Sequence, residues 1–216
     1  MILDTASHSR EAESSIAALV LAAGRGLRFD ASRNKLLADF GGRPLICHAV
    51  EAAVASRARP TIVVTGHERL GVEAALADYP VVLTHNADYA SGLASSLRAG
   101  LAQAGSRAGV LVLLGDMPGV TPAVLNRLIA AFENAPAGIL AAAPRHCGRR
   151  GNPVLLGRRL FPQLEKLEGD IGARKLLQSV QEVLDVPIDD EGVVIDVDTR
   201  ADMESLRTRL HGTGET

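Results

Sequence analysis

Short apolar runs alternate along this chain with stretches in which apolar residues recur at helical spacing. The runs are Ile16–Ala22, Thr61–Thr65, Val81–Thr84, Val110–Leu114, Ile139–Ala142, Val154–Leu156, Glu182–Val186 and Val193–Val197. Each is bounded by Gly, Pro, Asn or Asp, a pattern that predicts buried strands. Helices are predicted over Pro44–Ser56, His67–Leu76, Gly92–Ala104, Thr121–Phe132 and Ala201–Leu210. Pro44 suits a first helical turn, Thr121-Pro122 reads as an N-cap followed by proline, and Thr199 is a similar cap before the last helix.

Strand-helix alternation predicts an α/β fold of three layers, a mainly parallel sheet flanked by helices on both faces. In such sheets ligands lie outside the carboxyl ends of the strands. That rule singles out Ala23–Lys35, Thr65-Gly66, His85-Asn86, Gly115-Asp116 and Asp196–Thr199. Arg145–Pro153 and Glu165–Arg174 break the alternation and read as a lid or substrate region within the same domain. One domain is expected over residues 16–211, preceded by a disordered tail, residues 1–15.

Composition narrows the classes. Hydrophobic residues make up 47% of the 216, enough for a sizeable core, while aromatics are 3% with no Trp. Single-stranded nucleic acid usually needs aromatic stacking platforms along a basic groove. The net charge of -2, with arginines in small groups at Arg25/Arg28/Arg33 and Arg145/Arg149/Arg150, suits a small phosphate-bearing ligand rather than nucleic acid. The apolar run Ile16–Ala23 is far below the roughly 20 residues that span a bilayer. The first residues lack the order of a signal peptide, so a cytoplasmic protein without membrane contact is expected. Cys47 and Cys147 are too isolated for a disulfide framework or a zinc site.

The strongest chemistry lies after the first strand, at Leu21-Ala22-Ala23-Gly24-Arg25-Gly26. Small residues let backbone N–H groups approach phosphate oxygens and form an anion nest. Arg25, Arg28 and Lys35 add positive charge for a triphosphate. Neither a P-loop nor a dinucleotide fingerprint is present, since Phe29 stands where the third glycine would be. Alone, Gly-x-Gly after a strand reads equally as a tight turn. Asp116 follows an apolar strand and would sit at the sheet rim, or serve as a turn residue. Asp196 and Asp198 alternate along a predicted strand, so at most one should face the site with Asp116. Two carboxylates with phosphate oxygens and waters would suit Mg²⁺.

The order Leu21-Ala22-Ala23-Gly24, an arginine, Lys35-Leu36-Leu37 and Gly42-Arg43-Pro44-Leu45 resembles the molybdenum cofactor nucleotidyltransferases. Among them it is most similar to the cytidylyltransferases that convert molybdopterin to its cytosine dinucleotide form. Further matching segments are Tyr89–Gly100, Leu114–Pro118, Arg150–Val154 with Gly169–Arg174, and Asp196–Thr199, so the resemblance runs from Ile16 to about Leu210. It implies a Rossmann-like fold of the nucleotide-diphospho-sugar transferase type. It also implies transfer of CMP from CTP to the terminal phosphate of molybdopterin with release of pyrophosphate.

By that resemblance Lys35, Arg28 and Asp116 are the catalytic candidates. Leu21, Ala22, Ala23, Gly24, Arg25, Gly26, Lys35, Thr65, Gly66, Asn86, Gly92, Ser95 and Ser96 are the nucleotide-binding ones. Asp116 and Asp198 would hold Mg²⁺, with Asp196 the alternative to Asp198, which could instead cap the last helix. Arg150, Asn152, Asp170 and Arg174 would meet the acceptor, and a molybdoenzyme or its chaperone is an implied partner. The Ala22-Ala23 pair resembles the cytidine-using branch, the guanosine-using one having Leu-Ala-Gly-Gly. The chain departs from the family at Arg28-Phe29-Asp30, where Arg33 would have to offset the added acid, and at Thr199-Arg200, where a proline is usual. Cytidylyl transfer to methylerythritol phosphate or a sugar phosphate, and a non-catalytic cofactor chaperone, are the competing readings.

Overall fold

The structure, a computed structural model, describes residues 15–26, 28–29, 34–170 and 172–212. The expected tail over residues 1–14, and Asp30 and Arg33, lie outside the described residues.

Strand β1 (Ile16–Ala22) is buried along its whole length. Its odd and even residues serve two separate cores, as period-2 alternation in a central strand requires. Ile16, Ala18, Val20 and Ala22 join one, and Ala17, Leu19 and Leu21 the other. A small hairpin follows, β2 (Asp39–Phe40) and β3 (Arg43–Pro44), leading into α1 (Leu45–Ala55). Then come β4 (Thr61–Thr65), α2 (Arg69–Ala75), β5 (Val82–His85), α3 (Leu93–Leu101), β6 (Gly109–Leu114) and α4 (Pro122–Glu133). The last part comprises β7 (Ala141–His146), β8 (Arg149–Arg150), β9 (Val154–Gly157), α5 (Phe161–Leu164), α6 (Ala173–Leu176), β10 (Val183–Pro187) and α7 (Arg200–Gly212).

The main sheet runs β10-β7-β9-β6-β1-β4-β5, with β8 paired to β7. All its pairings are parallel except those of β9 with β6 and β7 and of β8 with β7. Residues of α1 and α4, among them Ile46, Val50, Leu125 and Ile129, pack in one core. Leu97 and Leu101 of α3, Leu164 of α5 and Leu176 of α6 pack in the other. The result is the expected three-layer, mostly parallel sheet flanked by helices. Register aligns Leu21 with Val64 on one side and Leu114 on the other, so β1, β4 and β6 end together at one rim.

Two segments depart from expectation. Residues 193–197 form no strand: a 3-10 turn, Glu191–Val193, is capped by the Asp190 side chain accepting from the Gly192 N–H, and the chain then runs as coil. Its backbone bonds to loops rather than to a ladder, Asn152 N donating to Val193 O at 2.8 Å and Val197 N to Asp116 O at 3.0 Å. β7 also runs on beyond the expected Ile139–Ala142 and turns back into β8 through Cys147 and Gly148, both at positive φ. Paired positive φ is what a tight hairpin demands.

Helix α3 lies close on the sheet because Gly100 has no side chain. A Cβ there would stand 2.1 Å from Leu19 Cδ1 and 2.9 Å from Val64 Cγ2. Gly100→Ala is therefore expected to destabilise the protein by about 1–3 kcal/mol through overpacking, despite alanine's better helix propensity. Urea unfolding followed by circular dichroism checks this.

Candidate active site

The rim where β1, β4 and β6 end carries the site. After β1 the backbone turns through Gly24 and Gly26, the latter at φ 61, and a Cβ on Gly26 would meet Lys35 Cβ at 2.9 Å. Glycine is required there both for the left-handed conformation and for that approach. Lys35 opens a 3-10 turn, Lys35–Leu37, capped by Asn34, whose Oδ1 accepts from Leu36 N at 3.0 Å while its Nδ2 donates to His67 O at 3.2 Å. Asn34 thus fastens the lysine turn to the segment after β4. Its short side chain just ahead of a turn was the signal for that role.

Lys35 is buried, and a buried ammonium needs counter-charge. Its Nζ lies 2.7 Å from Asp116 Oδ2 and 3.2 Å from Asp198 Oδ1. Arg28, on an exposed side chain, reaches Asp198 Oδ2 at 2.7 Å. Gly115 turns the chain after β6, its N–H bonded to Leu21 O at 3.0 Å, and leaves Asp116 at the rim. Among the described residues, Asp116 Oδ1 is buried with no hydrogen-bond partner. The bond from Val197 N to Asp116 O carries the second acidic segment alongside.

Because residues 193–197 are not a strand, the alternation expected to separate Asp196 from Asp198 does not operate. Both line one cavity of ≈ 590 Å³ with Gly24, Arg25, Lys35 and Asp116. Burial first, then the nearby Asp116 and Asp198 charges, pushes the Asp196 carboxyl above the usual carboxylate range. Arg25 stands 5.8 Å over the Tyr89 ring.

An adjoining cavity of ≈ 460 Å³ is lined by apolar Leu21 and Val112 together with Asn152, Asp170 and Gln178. Leu93, Leu114 and Asp196 line both cavities, so the two are halves of one cleft. Leu93 and Leu114 fall in segments that match the family pattern, but as apolar side chains they suggested no role, and only their position gives them one. Arg150 is turned away toward β10, its Nε donating to Asp185, which Arg145 also contacts at 2.7 Å. Burial pushes the Asp185 carboxyl up, but the bonds from Arg150 and Arg145 outweigh it and hold it below the ordinary range. The Arg174 side chain lies outside the described residues.

On the other flank Ala22 and Ala23 are buried. A Cβ on Gly66 would meet Ala23 Cβ at 2.8 Å and Tyr89 Cβ at 2.7 Å, so Gly66 permits that close packing. Thr65 is fully buried, its hydroxyl donating to Glu73 at 3.1 Å. Asn86, Ser95 and Ser96 are buried and bonded together, Asn86 Nδ2 donating to the two hydroxyls at 2.8 and 3.0 Å. Gly92, at φ 109, abuts Gly169, whose carbonyl accepts from Ala94 N at 3.1 Å. The Asn86, Ser95 and Ser96 bonds brace the loop ahead of α3, and the backbone of Gly92 and Ala94 sets it against Gly169.

The donor set fits a divalent cation. Mg²⁺ takes one or two protein carboxylates and completes its octahedron with phosphate and water. Asp116, with one oxygen unpartnered, and Asp198 supply that number. Among the described residues no cluster of three or more His, Cys, Asp or Glu could enclose a metal by itself.

A mainly parallel sheet with a glycine turn, a buried lysine and paired aspartates at its rim is built like a nucleotidyltransferase domain. The chain belongs to the MobA-like NTP transferase domain family, whose model matches residues 18–183. It is 32% identical over 201 residues to nicotine blue oxidoreductase of Paenarthrobacter nicotinovorans, covering 88% of this chain and 96% of that one. It is 36% identical over 153 residues to the bifunctional protein GlmU of Anaeromyxobacter dehalogenans, covering 64% of this chain but only 31% of that longer protein. Among solved structures, a nucleotidyl transferase from Methanothermobacter superposes with a TM-score of 0.78 at 26% identity, covering 92% of this chain and 99% of that one. Rv0371c of Mycobacterium tuberculosis in complex with manganese gives 0.75 at 29% identity, covering 88% and 97%. No helix among the described residues is long and apolar enough to cross a membrane.

Asp198 is itself held by the start of α7. Asp202 Oδ2 accepts from Asp198 N at 3.2 Å, Thr199 N at 2.7 Å and Thr199 Oγ1 at 2.8 Å, and Asp202 N donates back to Thr199 Oγ1 at 3.1 Å. This is a capping box with aspartate in the acidic position. The Thr199 hydroxyl and backbone bonds lower the Asp202 pKa. A carboxyl depressed in the folded state keeps its contribution above the ordinary carboxylate range and loses it as pH falls through the lowered value. Asp202→Ala is therefore expected to speed exchange of the Asp198 and Thr199 amides by about tenfold or more. The wild type should show the same loosening only in acid below the ordinary carboxylate range, and hydrogen exchange read by NMR checks both.

Proposed function

We propose that the protein transfers CMP from CTP, with Mg²⁺, to the terminal phosphate of molybdopterin and releases pyrophosphate. The observation that carries this reading is the buried Lys35 set between Asp116 and Asp198 beneath the glycine turn, in a cavity that opens into a second one. The first half suits a triphosphate over the N–H groups of Ala23–Gly26, with Lys35, Arg28 and Arg25 as counter-charge. The second half, lined by apolar Leu21 and Val112 with Asn152, Asp170 and Gln178, suits a flat heterocycle bearing donors and acceptors.

In the reaction an oxygen of the acceptor phosphate forms a bond to the α-phosphorus of CTP, and the bond to the pyrophosphate oxygen breaks. The nucleophile is already anionic, so the chain need supply no base. Asp116 and Asp198 would hold Mg²⁺, which when bound neutralises phosphate charge and orients the reacting oxygens. Lys35 and Arg28 take up charge on the β- and γ-phosphates, and the two halves of the cleft set acceptor and α-phosphorus in line. Ala23, packed against Gly66 beside Tyr89, narrows the base side and supports a pyrimidine over a purine. A cytoplasmic protein that serves a molybdoenzyme or its chaperone fits this role.

The match to nicotine blue oxidoreductase over most of both chains supports a second reading, an oxidoreductase acting on a compound like nicotine blue. Pyrophosphate release with Mg²⁺, molybdopterin and each NTP separates the two. CTP is expected to support release well above GTP; a GTP preference overturns the base assignment. No release with any NTP, alongside turnover in a redox assay, overturns the transfer reading. Asp116→Ala should lower kcat/KM by about 10³-fold or more, and a variant retaining activity removes Asp116 from the metal site.

A further inference from the structure

One cation already bridges the two carboxylates that a metal would need. Lys35 Nζ stands 2.7 Å from Asp116 Oδ2 and 3.2 Å from Asp198 Oδ1, bridging the carboxylates that the reading above gives to Mg²⁺. Asp116 and Asp198 would hold Mg²⁺ through carboxylate oxygens, which the ion approaches more closely than an ammonium does, so an ion on the oxygens that Lys35 Nζ now meets would have to displace it.

We propose that Lys35 acts as a resident counter-cation that keeps this position closed to a divalent metal until a triphosphate draws it away. Metal then enters with the nucleotide and not before it. The proposal rests on the nucleotidyltransferase reading.

The lysine is poised for such an exchange. Gly26 packs on its Cβ and Asn34 pins the turn it opens, so its stem is fixed while its terminal torsions remain to carry Nζ. A bare divalent cation that displaced it would take both ion-pair partners of a buried ammonium, which is costly. A nucleotide that arrives with the cation brings phosphate oxygens to the glycine turn, on the same side of Lys35, and gives the ammonium a new partner. Arg28 differs: it holds the other oxygen of Asp198 from solvent, with 77% of its side chain exposed, and moves at little cost. The unpartnered Asp116 Oδ1 is what remains when one ammonium serves a carboxylate that has room for more.

The test uses Mn²⁺ alone as the probe, titrated without nucleotide into the full chain, with free Mn²⁺ read by electron paramagnetic resonance. Wild type is expected to bind weakly and Lys35→Met about tenfold or more tightly. Arg28→Met removes an equal charge from Asp198 but vacates no metal position, so its shift should stay under about threefold. Lys35→Gln serves in the same way where the Met variant fails to fold, with circular dichroism as the check. A lysine variant that binds Mn²⁺ no more tightly than wild type overturns the proposal. So does an Arg28→Met shift as large as that of the lysine variant, which would reflect charge alone. Calorimetric titration of wild type with CTP, with and without Mn²⁺, reports on the parent reading. Absence of CTP binding in both would overturn nucleotide use while the nucleotide-free titrations still decide the role of Lys35.

Discussion

Lys35 is buried among carboxylates, and satisfying its charge organises the rim of the sheet. An ammonium inside a protein needs partners held at short range, and these come from parts of the chain far apart in sequence. Asp116 is delivered by the glycine turn after β6, and Asp198 by a coil tied to the backbone of Asp116 and to the cap of α7. Gly26 and Asn34 fix the lysine itself. The central strand, the last helix and the loops between them therefore converge on one cation.

Most of the sheet could be read from the chain. β1, β4, β6 and β9 lie near their expected limits because fully buried strands are continuous apolar runs bounded by turn residues. Val193–Val197 has the same composition, yet Val193 packs into the core beneath α1 and α4, Val197 packs with Phe40, Leu45, Met203 and Leu206, and the Asp190 cap turns the chain before a ladder can form. Composition records that a segment is buried, not what buries it. That distinction changed the site, since only a coil could bring both Asp196 and Asp198 to the cavity. The β7–β8 hairpin was hidden for another reason: its turn uses Cys147 at positive φ, where Asn or Asp would have marked it.

The site was legible where charge or glycine had a local reason to stand. Lys35, Asp116 and the glycine turn were found in that way. The orientation of polar side chains was not: Thr65, Asn86, Ser95 and Ser96 follow strand ends or begin a helix, but in the fold they bond inward, to Glu73 or to one another. Arg150 turns to Asp185, a partner 35 residues away that no local pattern could have indicated. Leu93 and Leu114 gained meaning only as walls common to two cavities.

That common wall is narrow, and it bears on how such a protein can diverge. Apart from Leu93, Leu114 and Asp196, the two halves of the cleft draw on different segments, the first on the turn after β1 with Lys35, Asp116 and Asp198, and the second largely on Asn152, Asp170, Gly172, Ala173 and Gln178. Drift in the late segments can reshape one half while selection preserves the other. A lineage built on this plan can acquire a new second substrate without first losing the old donor.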